Sequence, residues 1–292
     1  MSRLYKGSCN TYTDLNGNYG YVEYNSIKEY HDYINNKERV RGRDRSSESG
    51  DSGWSGSSSL EEASELMIKG DKESLSIMKK HKSKTDSLFK DHVVDKVRTV
   101  NSVEGFQPIV ANAIMGLPES MIKTERKPNK VKVVDIFYNS SASAGVDKDE
   151  IAFKGAMLLS TIEQLEKNGY RVNLYVGKVS YNDGDIFGHI VNIKQAMSPL
   201  NMLKTSFYII HPSFLRRICF KIDETEERIK DCTNDGYGQA TNYSSIRDIV
   251  KGTFNKDMLF FDGNVDINSD NSDDDNMKAI NKMLKGLINK DI

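Results

Sequence analysis

The chain has 292 residues, enough for one large domain or two modest ones, and its 37% hydrophobic content fills a core of roughly two-thirds of that length. Its 41 basic and 42 acidic residues leave a net charge of -1, so the whole molecule has no electrostatic pull toward nucleic acid or anionic lipid; such binding would need a local patch. Cys9, Cys219 and Cys232 form no CxxC pair, which argues against a disulfide framework or thiolate zinc site and for a reducing compartment. No stretch approaches about 18 uninterrupted apolar residues and no apolar leader opens the chain, so a soluble protein is expected.

Residues 1–41 are rich in tyrosine, with too few aliphatics for a core of their own, and read as an N-terminal arm that packs on something else. Residues 42–59, GRDRSSESGDSGWSGSSS, bury too little apolar surface to offset ordering and read as a mobile linker holding one anchor, Trp54. A helical segment is expected over 60–130. Ser59 can cap its first helix, Glu61 and Glu62 suit the first turn, Leu60, Ala63, Leu66 and Met67 make an apolar stripe, and Gly70 ends it. Leu75–Val100 continues as a basic helical stretch whose Lys79, Lys80, His81, Lys82 and Lys84 are either a solvated face or a nucleic-acid patch.

From 131 to 292 the pattern becomes βα alternation. VKVVDIFY is an apolar strand, and DEIAFKGAMLLSTIEQLEKNG is a long helix closed by Gly169. YRVNLYVGKVS and IFGHIVNIKQA flank an Asp-Gly turn and make an antiparallel hairpin. SPLNMLKTS is a short helix, FYIIHP a strand, SFLRRICFKIDETEERI a helix, DMLFFDG a strand and NMKAINKMLKGLINK an amphipathic helix. This alternation predicts a three-layer α/β sandwich with a mostly parallel sheet and one antiparallel strand.

That order resembles the von Willebrand factor A fold over roughly 131–292. In that family a DxSxS motif after the first strand and a later Asp, usually followed by Gly, hold a divalent cation. The resemblance implies a Mg2+ or Mn2+ site at Asn139, Ser141 and Ser143, standing as NxSxS, with Asp262 of FFDG. Asn in place of the first Asp removes one negative charge from a site that hard cations need anionic, so weak binding is expected. The alternative is structural: Ser143 or Asp147 caps the helix and Asn139 knits the loop.

GWSG, PIVANAIMGLPESM, the NSSAS turn and HPSFLRRICF together resemble an uncharacterised family of tailed-phage proteins. The resemblance implies a viral protein in the host cytoplasm or in a virion assembled there, and carries no established activity. Within HPSFLRRICF, Arg216 and Arg217 sit in early helical turns where the helix dipole disfavours cations, so something anionic should compensate. That is either a phosphate or acidic partner, or Asp223, Glu224 or Glu226 nearby. His211 before proline is a base without an accompanying nucleophile motif. DINSDNSDDDNM begins like a calcium loop but has Asn271 where Gly is required and Met277 where the bidentate Glu belongs. The expected function is therefore non-enzymatic protein–protein contact or assembly, with a homo-oligomer among the expected partners and His211, Arg216, Arg217 and Trp54 as partner-binding residues. The rival is nucleic-acid binding through Lys79–Lys84 and Arg216–Arg217.

Overall fold

The computed structural model describes residues 8–14, 17–88, 97–126, 132–141, 148–182, 185–229, 231–233, 236–240, 258–261, 267 and 270–288. In chain order these form β1 (Ser8–Asp14), β2 (Gly17–Tyr24), α1 (Ile27–Asn36), two single-turn helices α2 (Ser46–Ser49) and α3 (Ser52–Ser55), α4 (Leu60–Lys69) and α5 (Lys72–Leu88). A small excursion follows: β3 (Val97–Ser102), β4 (Gln107–Pro108), α6 (Val110–Ile114) and β5 (Met121–Arg126). The remainder is β6 (Lys132–Asn139), α7 (Lys148–Lys167), β7 (Tyr170–Asn182), β8 (Asp185–Lys194), α8 (Met202–Ile210), a π-helical segment Phe214–Cys219 running into α9 (Phe220–Thr225), β9 (Gln239–Ala240), β10 (Met258–Phe261) and α10 (Asp273–Ile288).

The fold is α/β. Its main sheet has the order β1-β2-β8-β7-β6-β10, with β9 beside the end of β7. β6 lies parallel to β7 and β10, β7 and β8 form the expected antiparallel hairpin, and β2 joins β8 in parallel. Residues 183 and 184 of the hairpin turn lie outside the described residues. A separate antiparallel sheet has the order β3-β5-β4.

From Val134 to Asn139 β6 is buried on both faces, which suits its mostly apolar run, while Lys132 and Val133 at its start are exposed. Val134, Ile136 and Tyr138 join Leu174, Val176, Val191 and Phe261 in one core with residues of α1, α4, α5, α7, α8, α9 and α10. On the opposite face Phe137 meets Phe260 edge to face. The helices that share in the main core thus sit over one sheet face, and a second helical layer is not seen among the described residues.

Four expectations change. The tyrosine-rich arm is part of the sheet: β2 is a full ladder strand, and Tyr30 and Ile34 of α1 are buried in the core. Residues 42–59 are not a free linker, since Arg43, Ser47, Ser55 and Ser57 are buried. The 60–130 segment is not helical throughout: α4 and α5 are helices, but 97–126 carries the small sheet and the five-residue α6. FYIIHP is not a strand but the end of α8, capped by Asn201, whose side chain accepts from Lys204 N; Phe207 to Ile210 are all buried, and an apolar run surrounded on all sides carries no period.

α4 matches its sequence signals. Ser59 accepts from Glu62 N, and Gly70 ends the helix at φ 83°, where a Cβ would lie 2.5 Å from Leu203 O.

Candidate functional site

The carboxyl end of β6 meets the hairpin, the π-helical segment and the 42–59 segment. Asn139 is buried there, and its amide works as an extra rung of the ladder: Oδ1 accepts from Val179 N at 3.1 Å and Nδ2 donates to Val179 O at 3.3 Å. The same Oδ1 accepts from Ser141 N at 3.1 Å, so both lone pairs are taken. As placed, Asn139 has no ligand to offer a cation and knits the turn. Ser141 is buried beside it, Ser140 Oγ donates to Gly177 O at 2.8 Å, and Ser143, Asp147 and Asp262 lie outside the described residues. Among the described residues no three His, Cys, Asp or Glu side chains gather as a metal site would need.

The GWSG and HPSFLRRICF stretches are brought together. Gly56 takes φ 83° against His211 and Pro212, and a Cβ there would sit 3.3 Å from both. Ser213 Oγ donates to Ser55 O at 2.7 Å. Arg217 is fully buried and donates to Ser47 O, Gly50 O and Ser57 O at 2.9, 2.9 and 2.7 Å. It therefore holds this chain's own loop and is not available to a partner, which corrects its assignment as a partner-binding residue. Glu224 answers from the same helical unit, accepting from Ser47 N at 2.8 Å and Tyr237 Oη at 2.7 Å. Arg43 returns the grip, donating to Asp223 O within α9 and to Glu226 O and Ile229 O just past its end. Arg216 donates to Trp54 O and lies over the Trp54 ring, 4.6 Å from its centroid. His211 stacks on Phe207 and accepts from Ser213 N. Of the four expected partner-binding residues, Trp54 and Arg216 reach the surface as a pair that is already satisfied within the chain.

Beneath this seam runs a buried polar network. Lys178 Nζ lies 2.5 Å from Asp223 Oδ2 and donates to Tyr237 O, and Tyr30 Oη is 3.0 Å from His189 Nδ1. His189 Nε2 and Asp223 Oδ1 stand 3.9 Å apart, each buried without a hydrogen-bond partner. Burial first, and the Lys178 charge second, hold His189 well below the usual imidazole range. Burial raises the Asp223 carboxyl against the opposing pull of Lys178. Cys219, near Ser140 and Tyr30, is pushed up to about 12 by burial, which leaves no thiolate for nucleophilic work. The network ties β7, β8, α1 and α9 together.

Three members of the rival basic patch are engaged within the chain. Lys82 pairs with Asp86 and Glu163 at 2.7 and 2.9 Å, Lys84 lies 3.9 Å from Asp273, and Arg217 is inside the protein.

What does reach solvent is the small sheet. Val103, Phe106, Val110, Ile114, Met115 and Leu117 are 69, 66, 64, 81, 65 and 46% exposed, and α6 buries none of its residues. Isolated exposed apolar residues are ordinary, whereas these six fall within the one stretch 103–117, and we refer to them as the exposed patch. Sequence reasoning met most of this stretch as PIVANAIMGLPESM and missed its exposure. The available signal was an apolar run punctuated by Gly and Pro with neither helical nor strand period.

A profile of the domain of unknown function DUF7192 matches residues 11–288. The chain belongs to the DUF7192 family. The DUF7192 match runs from β1 into α10, so both sheets and the exposed patch lie within the family's span. No curated protein and no solved structure matches the chain.

Proposed function

We propose that the protein is a non-enzymatic assembly protein whose core, resembling a von Willebrand factor A domain, presents the 97–126 excursion to a protein partner. The exposed patch carries this reading. Six side chains at those exposures present on the order of 700 Å2, close to the ~800 Å2 that each partner contributes to a standard interface. Between Val103 and Ser120 the charged residues are Glu104 and Glu119, both acidic, so the patch suits an apolar protein surface and not a polyanion. The order β6, long α7, β7 and antiparallel β8 supports the A-domain likeness. The buried state of Cys219 and His189 supports a role without chemistry. The tailed-phage setting is part of the proposal and rests on the stretches quoted above.

Met197, 81% exposed on the loop after β8, offers a control of the same exposure as Ile114. A photoreactive amino acid placed at Ile114 in the producing cell should give a covalent protein adduct, and the same group at Met197 should not. Equal labelling at both positions, or none at Ile114, contradicts the proposal.

A further inference from the structure

We infer that residues 43–55 are a strap that opens as one unit about Gly42 and Gly56 while the rest of the fold stays intact; this goes beyond the docking reading and does not rest on it. Both glycines take left-handed backbone, at φ 96° and 83°, and at Gly42 no atom stands within 4 Å of the place a Cβ would occupy. The strap thus begins and ends at residues whose backbone can pivot.

Between them no apolar side chain is buried. The buried residues are Arg43, Ser47 and Ser55, and the one apolar side chain, Trp54, is 40% exposed, its ring 6.0 Å from that of Phe220. The strap is held to the rest of the chain by polar contacts. Arg217 donates to Ser47 O and Gly50 O, Arg216 to Trp54 O and Ser213 Oγ to Ser55 O. Lys221 pairs with Glu48 at 2.7 Å, and Glu224 accepts from Ser47 N. All of these grips come from one helical unit, 213–225. Tyr237 Oη accepts from Ser46 N and Thr233 Oγ1 from Asp44 N, both at 3.0 Å, and Arg43 reaches carbonyls of 223–229. Each such contact stabilises little net, because water takes its place when the strap lifts, while the conformational entropy of the whole strap is regained. With no buried apolar area to resist it, lifting is a smaller step than unfolding. It strands no charge either, since Arg217, Lys221 and Glu224 lose their strap partners only as water reaches them. The strap is a polar cover over that face of the helical unit, closed at rest and opened without melting the sheet.

Native-state hydrogen exchange of the purified full chain tests this. The amides of Ser47, Gly50, Ser55 and Gly56, all bonded in the closed strap, should exchange as one group, at least about a hundredfold faster than those of β6 and β7 and with little dependence on low urea. Trp54 is the chain's one tryptophan, so its fluorescence reads the strap and should change at lower urea than far-UV circular dichroism. Two variants separate opening from unfolding. Ser213→Ala removes one grip and should quicken strap exchange about fivefold. Asn139→Asp disturbs contacts to Val179 that the opened form keeps, so it should quicken exchange in β6 and β7 and leave the strap unchanged. Strap amides that exchange at the rate of β6 and β7 and quicken with them in Asn139→Asp, or fluorescence and dichroism transitions that coincide, overturn the inference.

Discussion

Replacing Arg217 with alanine should separate the structural from the surface arginine. The guanidinium is buried and makes charge-assisted hydrogen bonds to three carbonyls of the 42–59 segment. Each such bond contributes about 1.5–3 kcal/mol net, and truncating one side of a buried charged network typically costs 3–5 kcal/mol, because the bonds are not additive. A loss of about 3–5 kcal/mol is a large share of the ~5–15 kcal/mol that holds a domain together. Arg216, by contrast, is an outer partner of Trp54, and its replacement by alanine should cost about 0.5–1 kcal/mol. Urea denaturation measures both values, and limited proteolysis reads the local effect. The Arg217→Ala chain should be cut within 42–59 under conditions that leave the native and Arg216→Ala chains whole. Equal stabilities for the two variants, or a 42–59 segment as protected in Arg217→Ala as in the native protein, would refute the reasoning.

Asn139→Asp sets a carboxylate oxygen against Val179 O in place of a donor, and should destabilise the fold by about 2–3 kcal/mol at pH 7 without creating a tight Mg2+ site. The new carboxyl would have a raised pKa in the folded state, so denaturation below about pH 5 should show part of the loss regained as it protonates and donates. His189 has a folded pKa well below 6.5, so its contribution is complete above that value and is lost as pH falls. Asp223, raised in the folded state, works in the opposite sense at acid pH. Between pH 7.5 and 5.5 the native protein should lose about 1.4 kcal/mol relative to His189→Gln by chemical denaturation; identical pH slopes in the two proteins would remove His189 from the account.

The parts of the fold read correctly from sequence are those with local causes. Ser59 and Gly70 bound α4 within one segment, and the alternating residues of 170–194 form a hairpin because its two strands are neighbours in the chain. The 42–59 segment escaped because composition rules weigh apolar burial, whereas its order comes from Arg217, some 170 residues away, holding Ser47 O. Arg217 has an awkward charge in the sequence and does need compensation, but backbone carbonyls of another segment supply it and not the nearby acids. Asn139 was legible in both senses, since amides suit cation loops and ladder ends alike; only the positions of Val179 N and O decide between them. The patch at 103–117 was invisible because exposure is a tertiary property. The same apolar residues would read identically if the excursion were folded onto the core.

Methionine oxidation tests the central claim most directly, because Met115 and Met197 are 65 and 81% exposed and differ in whether a docking surface includes them. Peroxide treatment of dilute purified protein should oxidise both readily, whereas in the assembled state within producing cells Met115 should be protected and Met197 should not. Equal oxidation of Met115 and Met197 in both states would contradict docking through the 97–126 excursion.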